Sequence, residues 1–255
     1  MKFARYVAIG DSSTEGLDDP DGHGGYRGWA NRLAEHVARA QGSLLYANLA
    51  VRGLRTRQIL ERQLEPALAL QPDLVTVFAG TNDVVRPGFN ADAVARAMEQ
   101  MQRSLVTAGA RVLTFTLPDL SAVMPVARFV APRVRVLNDA LRQVAATTGA
   151  SLVDVAAHPV AADPRLWSED RLHANSEGHA RIAAALADAL GLPGIGETWT
   201  TPLPPLPPAT IAQRLAAEVR WSRRYFSPWI WRRVRGRSSA DGRSAKQPTL
   251  QPVPL

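Results

Sequence analysis

Apolar positions along the chain fall into two alternating patterns. Short, nearly all-apolar runs occupy residues 6–9, 43–48, 73–78, 111–117 and 152–155, the form expected of strands buried on both faces. Between them, apolar residues recur three and four apart. Trp29, Leu33, Val37 and Ala40 share one helical face, as do Val94, Met98, Met101 and Leu105, and Val134, Leu137, Leu141 and Val144. Ile182, Leu186 and Leu190 mark a closing helix before Gly191. Strand alternating with helix predicts an α/β domain over residues 1–196, a three-layer α/β/α sandwich around a five-stranded parallel sheet with right-handed crossovers. Ligands in such sheets sit at the carboxyl ends of the strands. A residue with chemistry to perform should therefore follow a strand directly.

After Gly191 the pattern breaks. Residues 197–209 contain Pro202-Leu203-Pro204-Pro205-Leu206-Pro207-Pro208 and read as a stiff polyproline linker. Residues 210–235 form a basic, aromatic segment. Ile211, Leu215 and Val219 recur at helical spacing among Arg214, Arg220, Arg223 and Arg224, followed by Tyr225-Phe226-Ser227-Pro228-Trp229-Ile230-Trp231-Arg232-Arg233. Pro228 is expected to end or kink a helix there. Residues 236–255, rich in Gly, Ser, Pro and Gln, are expected to be disordered.

Charge follows the same division. Residues 1–196 carry 20 basic and 20 acidic residues, whereas 197–255 carry 10 and 3. The net charge of +7 therefore belongs to the tail and says nothing of what the main domain binds. The absence of cysteine excludes disulfides, thiolate metal sites and a cysteine nucleophile. The N-terminal apolar run is too short for a signal-peptide core, and no window has the apolar length of a membrane span. The expectation is a cytoplasmic protein.

Four short blocks fall after strands. Ser12, in Gly10-Asp11-Ser12-Ser13-Thr14-Glu15-Gly16, stands where a nucleophile would meet a ligand, although these are also turn-forming residues. Gly53, in Val51-Arg52-Gly53, is either a bend or a backbone N–H open to a ligand. Asn82, in Ala79-Gly80-Thr81-Asn82-Asp83, suits a turn or cap, or an amide donor to an oxyanion. His173, in Asp170-Arg171-Leu172-His173, has an acidic residue three positions earlier that can orient it. Together the blocks supply a nucleophile, oxyanion donors, a base and its orienter, the parts needed for acyl transfer. His36, His158 and His179 read as structural or surface residues. The chain has no Gly-x-Ser-x-Gly elbow, P-loop, dinucleotide fingerprint or His-Glu-x-x-His.

In this order, the Gly-Asp-Ser, glycine, Gly-Thr-Asn-Asp and Asp-x-x-His blocks resemble the SGNH (GDSL-type) hydrolase superfamily over roughly residues 3–190. The resemblance implies a flavodoxin-like SGNH fold, with Ser12 as nucleophile, His173 as base and Asp170 as its partner. It also implies an oxyanion hole made by Ser12 N–H, Gly53 and Asn82. Ser13 stands where the family name has leucine, and Ala174 where proline is common. The implied reaction is hydrolysis of a small-molecule carboxylic ester through an acyl-enzyme, by an esterase, lipase, thioesterase or carbohydrate deacetylase, without metal or organic cofactor.

Arg52, Val84, Val85, Leu120 and Met124 are candidate walls of the substrate pocket, and each could equally be ordinary loop packing. The competing reading is a binding module that keeps the fold without turnover. The tail has three readings: packing on the main domain or on a second subunit, contact with an anionic membrane surface, or nucleic-acid binding. Four of the six tryptophans follow residue 196. That favours packing, since so many exposed tryptophans would harm solubility, and nucleic acid fits least.

Overall fold

β1 (Arg5–Gly10) is the strand from which the chain reverses direction across the sheet. In the computed structural model, which describes residues 2–205, 207, 210–235 and 238–255, with only the backbone of 232–234, β1 pairs in parallel with both β2 (Leu45–Asn48) and β3 (Leu74–Phe78). β4 (Arg111–Phe115) and β5 (Ser151–Val153) follow in parallel beyond β3. The helices are α1 (Ser12–Glu15), α2 (Gly28–Gln41), α3 (Thr56–Ala69), α4 (Thr81–Val84), α5 (Ala91–Thr107), α6 (Ala131–Thr148) and α7 (Ser176–Ala189). β1 to β2 steps one way across the sheet, and β2 to β3, β4 and β5 steps the other. Right-handed crossovers then place α2 on one face and α3, α5 and α6 on the opposite face. The packing agrees: α2 lies on α7, while α5 lies between α3 and α6.

This is the expected three-layer α/β/α sandwich, with one correction. The sheet has six strands, in the order β5-β4-β3-β1-β2-β6. The sixth, β6 (Gln247–Pro252), pairs antiparallel with β2 and comes from the stretch expected to be disordered. Its polar, proline-bearing sequence has no buried face to announce it. What holds it is main-chain pairing to the otherwise open edge of β2, and an edge position tolerates Pro248 and Pro252. Lys246 anchors its start by donating from Nζ to Arg27 O and Asn31 Oδ1, both at 2.9 Å.

α8 (Ile211–Trp221) and α9 (Ser227–Val234) follow, joined by a π-helical turn over Ser222–Phe226. The irregularity expected at Pro228 is this widened turn, which comes just before it, and the helix resumes instead of ending there. The backbone widens first, and proline falls at the second residue of α9, early enough for its missing N–H to do little harm. Arg181 donates to Trp199 O (3.2 Å) and Thr201 O (2.6 Å), and Arg165 donates to Leu203 O (3.4 Å) and to Pro204 O, which ties the start of the linker to the main domain. Leu206, Pro208 and Ala209 of that linker, and the side chains of Arg232 and Arg233, lie outside the described residues.

Candidate active site

The end of β1 is fixed from both sides. Gln63 accepts from Gly10 N at 2.8 Å and donates to Gly10 O at 2.9 Å. A side chain at position 10 would strike Thr14 Oγ1 and Phe78 O, at 2.1 and 2.7 Å from the added carbon, so only glycine lets the strand turn here. The buried Asp11 carboxylate then accepts from Ser13 N (3.1 Å) and caps α1. Ser12 is thereby held as the first residue of a helical turn, at the carboxyl end of the strand where the sheet order reverses.

His173 approaches from the loop before α7. Its Nε2 lies 2.8 Å from Ser12 Oγ and its Nδ1 lies 2.6 Å from Asp170 Oδ2. Asp170 Oδ1 accepts from the backbone N–H groups of Leu172 (2.8 Å) and His173 (3.0 Å) and lies 2.6 Å from Ser168 Oγ. Burial opposes charge on Asp170. The hydrogen bond and charge of His173, with the backbone and Ser168 donors, outweigh it and hold the carboxyl well below the usual carboxylate range. Burial likewise opposes the imidazolium, and the bond to Asp170 with the charges of Asp170, Asp18 and Asp11 raises the His173 pKa above its ordinary value. The loop is strained at Arg171, whose φ is +64°.

Asn82, in α4, uses both amide protons inside the protein: Nδ2 donates to Asp11 Oδ2 and to Leu54 O, each at 3.1 Å. Asp83 beside it accepts from Thr56 N (3.0 Å) and Thr56 Oγ1 (2.8 Å) and ties α4 to the start of α3. Gly53 adopts a left-handed φ of +80°, and a Cβ there would meet Ser239 Oγ at 2.3 Å and Ala240 N at 3.0 Å. The C-terminal segment therefore covers that face of Gly53.

Beside Ser12 and His173 opens a cavity of about 110 Å³ with largely apolar walls. Val84, Val85, Leu120 and Met124 line it, as proposed from sequence, with Phe78, Phe115, Leu166 and Trp167 among the others. Arg52 does not. Its backbone N–H (2.8 Å) and guanidinium bond to Glu15, and its Cζ lies 5.2 Å from the Tyr26 ring centre. The partly buried Glu15 carboxylate needs a counter-charge, and Arg52 supplies it. Asp18, Asp170 and His173 bring ligand-type atoms within 4.8 Å of one another. Two of those atoms are already bonded to each other, which makes a poor donor set for a cation. His179 is structural: Nδ1 accepts from Trp29 N (3.1 Å), Nε2 donates to Leu17 O (2.9 Å), and burial pushes its pKa down to about 4.

Three contacts with the Asp170–His173 loop escaped the sequence. Trp221 Nε1 donates to Asp170 O at 3.0 Å, Arg171 bonds Glu218 at 2.7 Å with its Cζ 5.0 Å from the centre of the Trp221 ring, and Tyr225 donates to Glu169 at 2.7 Å. The only signal available was the tryptophan-rich composition of the tail, which favoured packing without naming a partner.

Comparison with known proteins places the chain in a family. A GDSL lipase of Mycobacterium tuberculosis is 28% identical over 199 residues, which is 74% of this chain and 83% of the relative. An α/β-hydrolase enzyme from the metagenome of Lake Arreo superposes with a TM-score of 0.63 at 24% identity, over 74% of this chain and 95% of that one. An acetylxylan esterase from Geobacillus stearothermophilus superposes with a TM-score of 0.60 at 19% identity, over 75% of this chain and 97% of that one. At these identities the two solved structures establish the fold alone. The model of the GDSL-like lipase/acylhydrolase family matches residues 8–181, and on that match, spanning the β1 turn, the Asn82 turn and the His173 loop, the chain belongs to this family.

Proposed function

We propose that the chain is a serine hydrolase of carboxylic esters, with Ser12 as nucleophile, His173 as general base and Asp170 as its orienter. The observation that carries the reading is the unbroken line Asp170 Oδ2, His173, Ser12 Oγ, with links of 2.6 and 2.8 Å. As Ser12 Oγ attacks the carbonyl carbon, its proton passes to His173 Nε2, and the carbonyl electron pair moves onto oxygen. Asp170, held ionised, stabilises the imidazolium. Collapse of the tetrahedral intermediate breaks the bond to the alcohol oxygen, which takes the proton from His173 and leaves an acyl-Ser12. Water, deprotonated by the same histidine, repeats the sequence and releases the acid.

Ser12 N–H, Gly53 N–H and the Asn82 amide are the oxyanion donors in this reading. Asn82 serves by sharing a proton now given to Leu54 O or Asp11. The apolar cavity suits the acyl portion of the ester, while the alcohol lies toward the open side. The test is p-nitrophenyl ester hydrolysis across acyl lengths, wild type against Ser12→Ala. The expected loss in kcat is on the order of 10⁴-fold or more with the fold intact by circular dichroism. Equal turnover by the variant overturns the assignment of Ser12. Inactive wild type on every ester favours a binding module on the same fold.

A further inference from the structure

α8 has two unlike faces. Glu218 and Trp221, with Tyr225 one turn on, point at the Asp170–His173 loop. On the other side Ile211 is 78% exposed, Leu215 62% and Val219 58%, spaced four apart in one stripe, and Ile230 and Trp231 of α9 are also exposed, at 40% and 57%. Among the described residues, nine large hydrophobic side chains are exposed, and five of them lie on these two helices. The other four, Leu45, Phe129, Val136 and Leu255, lie outside these helices. Leu215, Ala216 and Val219 share one shallow groove with Arg220, Arg223 and Arg224. An apolar stripe edged by arginines thus lies on residues 210–235, which hold 7 basic residues and 1 acidic one.

We propose that this face of α8 and α9 docks onto an anionic lipid surface, with the apolar stripe in the acyl–headgroup boundary and Arg220, Arg223 and Arg224 on lipid phosphates. Charge complementarity decides the occupant. A second copy meeting the stripe face to face would set two arginine rows against each other, and like charges across an interface are costly. A nucleic acid would satisfy the arginines but leave Ile211, Leu215 and Val219 in water. A bilayer of anionic lipid satisfies both at once, and exposed tryptophan is the side chain most at home at that boundary. Because the same helix donates Trp221 to the Asp170 carbonyl, docking would bring the His173 loop close to the lipid. The inference concerns binding alone and holds whether or not the ester-hydrolase reading does.

The experiment is flotation of the full chain with vesicles of phosphatidylcholine, and of phosphatidylcholine mixed with phosphatidylglycerol, at low and high sodium chloride. Wild type is expected to float with the anionic vesicles only, and less at high salt. Leu215→Glu with Val219→Glu is expected to lower partitioning by on the order of tenfold or more. Arg220→Gln with Arg223→Gln and Arg224→Gln is expected to lower it comparably while leaving the stripe intact. Both variants change exposed positions, so a folded protein is expected and circular dichroism checks it. Equal flotation with neutral vesicles, no flotation with anionic ones, or unchanged flotation of both folded variants overturns the proposal. So does a dimer in light scattering that Leu215→Glu with Val219→Glu dissolves, since the stripe would then belong to a second copy.

Discussion

Asp11 is sealed from water in the turn that carries Ser12, and burial pushes its pKa up to about 6 from the ordinary 3.8. Asp83 adds to the rise, while Ser13 N–H, the charge on His173 and the Asn82 amide work against it. The folded protein thus holds this proton to higher pH than the unfolded chain does. Between those two pKa values the folded state binds more protons, so this group's contribution to stability is complete below the unfolded value and is lost as pH rises through about 6. A gap of about 2 pH units at ~1.36 kcal/mol each comes to about 3 kcal/mol.

Asp11→Asn removes the ionisation and keeps the shape. Its single carbonyl oxygen replaces two acceptors, so it carries an offset from wild type that does not itself titrate, apart from the loss of the Asp11 charge acting on His173. Urea unfolding of both proteins from acid to neutral pH separates the two effects. The variant's stability relative to wild type is expected to grow by about 3 kcal/mol between pH ~4 and ~7, then level off. A difference that stays flat across this window refutes the argument and means that Asp11 ionises as freely as an exposed carboxylate.

Trp221→Phe deletes the bond to Asp170 O while keeping an aromatic ring against Arg171 and Phe226. A lost hydrogen bond of about 1 kcal/mol predicts a fall of about fivefold in kcat with KM held. The acid limb of kcat/KM should move to lower pH, because a looser loop weakens the hold of Asp170 on His173. A drop in stability with unchanged kcat and pH profile would make Trp221 merely structural. Asn82→Ala should lower kcat by on the order of 10²–10³-fold with little change in KM if its amide meets the oxyanion. Unchanged kcat removes it from that role.

Five strands were legible because each is a short, mostly apolar run, with β1, β3 and β4 buried almost throughout and β5 only partly so at the sheet edge. The site blocks were legible because a doubly wound sheet puts ligands at strand ends: the Ser12 and Asn82 blocks directly follow β1 and β3, Gly53 lies a few residues past β2, and the Asp170–His173 block lies further on, in the loop before α7. α3 announced itself less well. Its buried face includes Thr56 and Gln63, polar side chains whose partners, Asp83 and Gly10, lie far away in sequence. The partner of Arg52 was hidden for the same reason. A cation beside a candidate oxyanion glycine suggests a ligand, and only the fold brings Glu15 against it. Periodicity reports which side chains avoid water, but not where a polar side chain finds its partner.

The C-terminal segment carries this point furthest. Read by composition it separates cleanly from the main domain: proline spacer, basic helix, polar tail. In the fold it returns to the site by three routes. α8 holds the loop of Asp170 and His173, Ser239 and Ala240 cover Gly53, and β6 extends the sheet from β2, the strand that leads to Gly53. Two of these routes use backbone atoms as the partner, and main-chain groups leave no trace in side-chain patterning. The third depends on the missing side chain of a glycine. A segment that touches the His173 loop and the Gly53 turn together has a direct mechanical connection to both halves of the proposed oxyanion and proton-transfer machinery. Any ligand that engages its outer face therefore acts on a helix already bonded to Asp170.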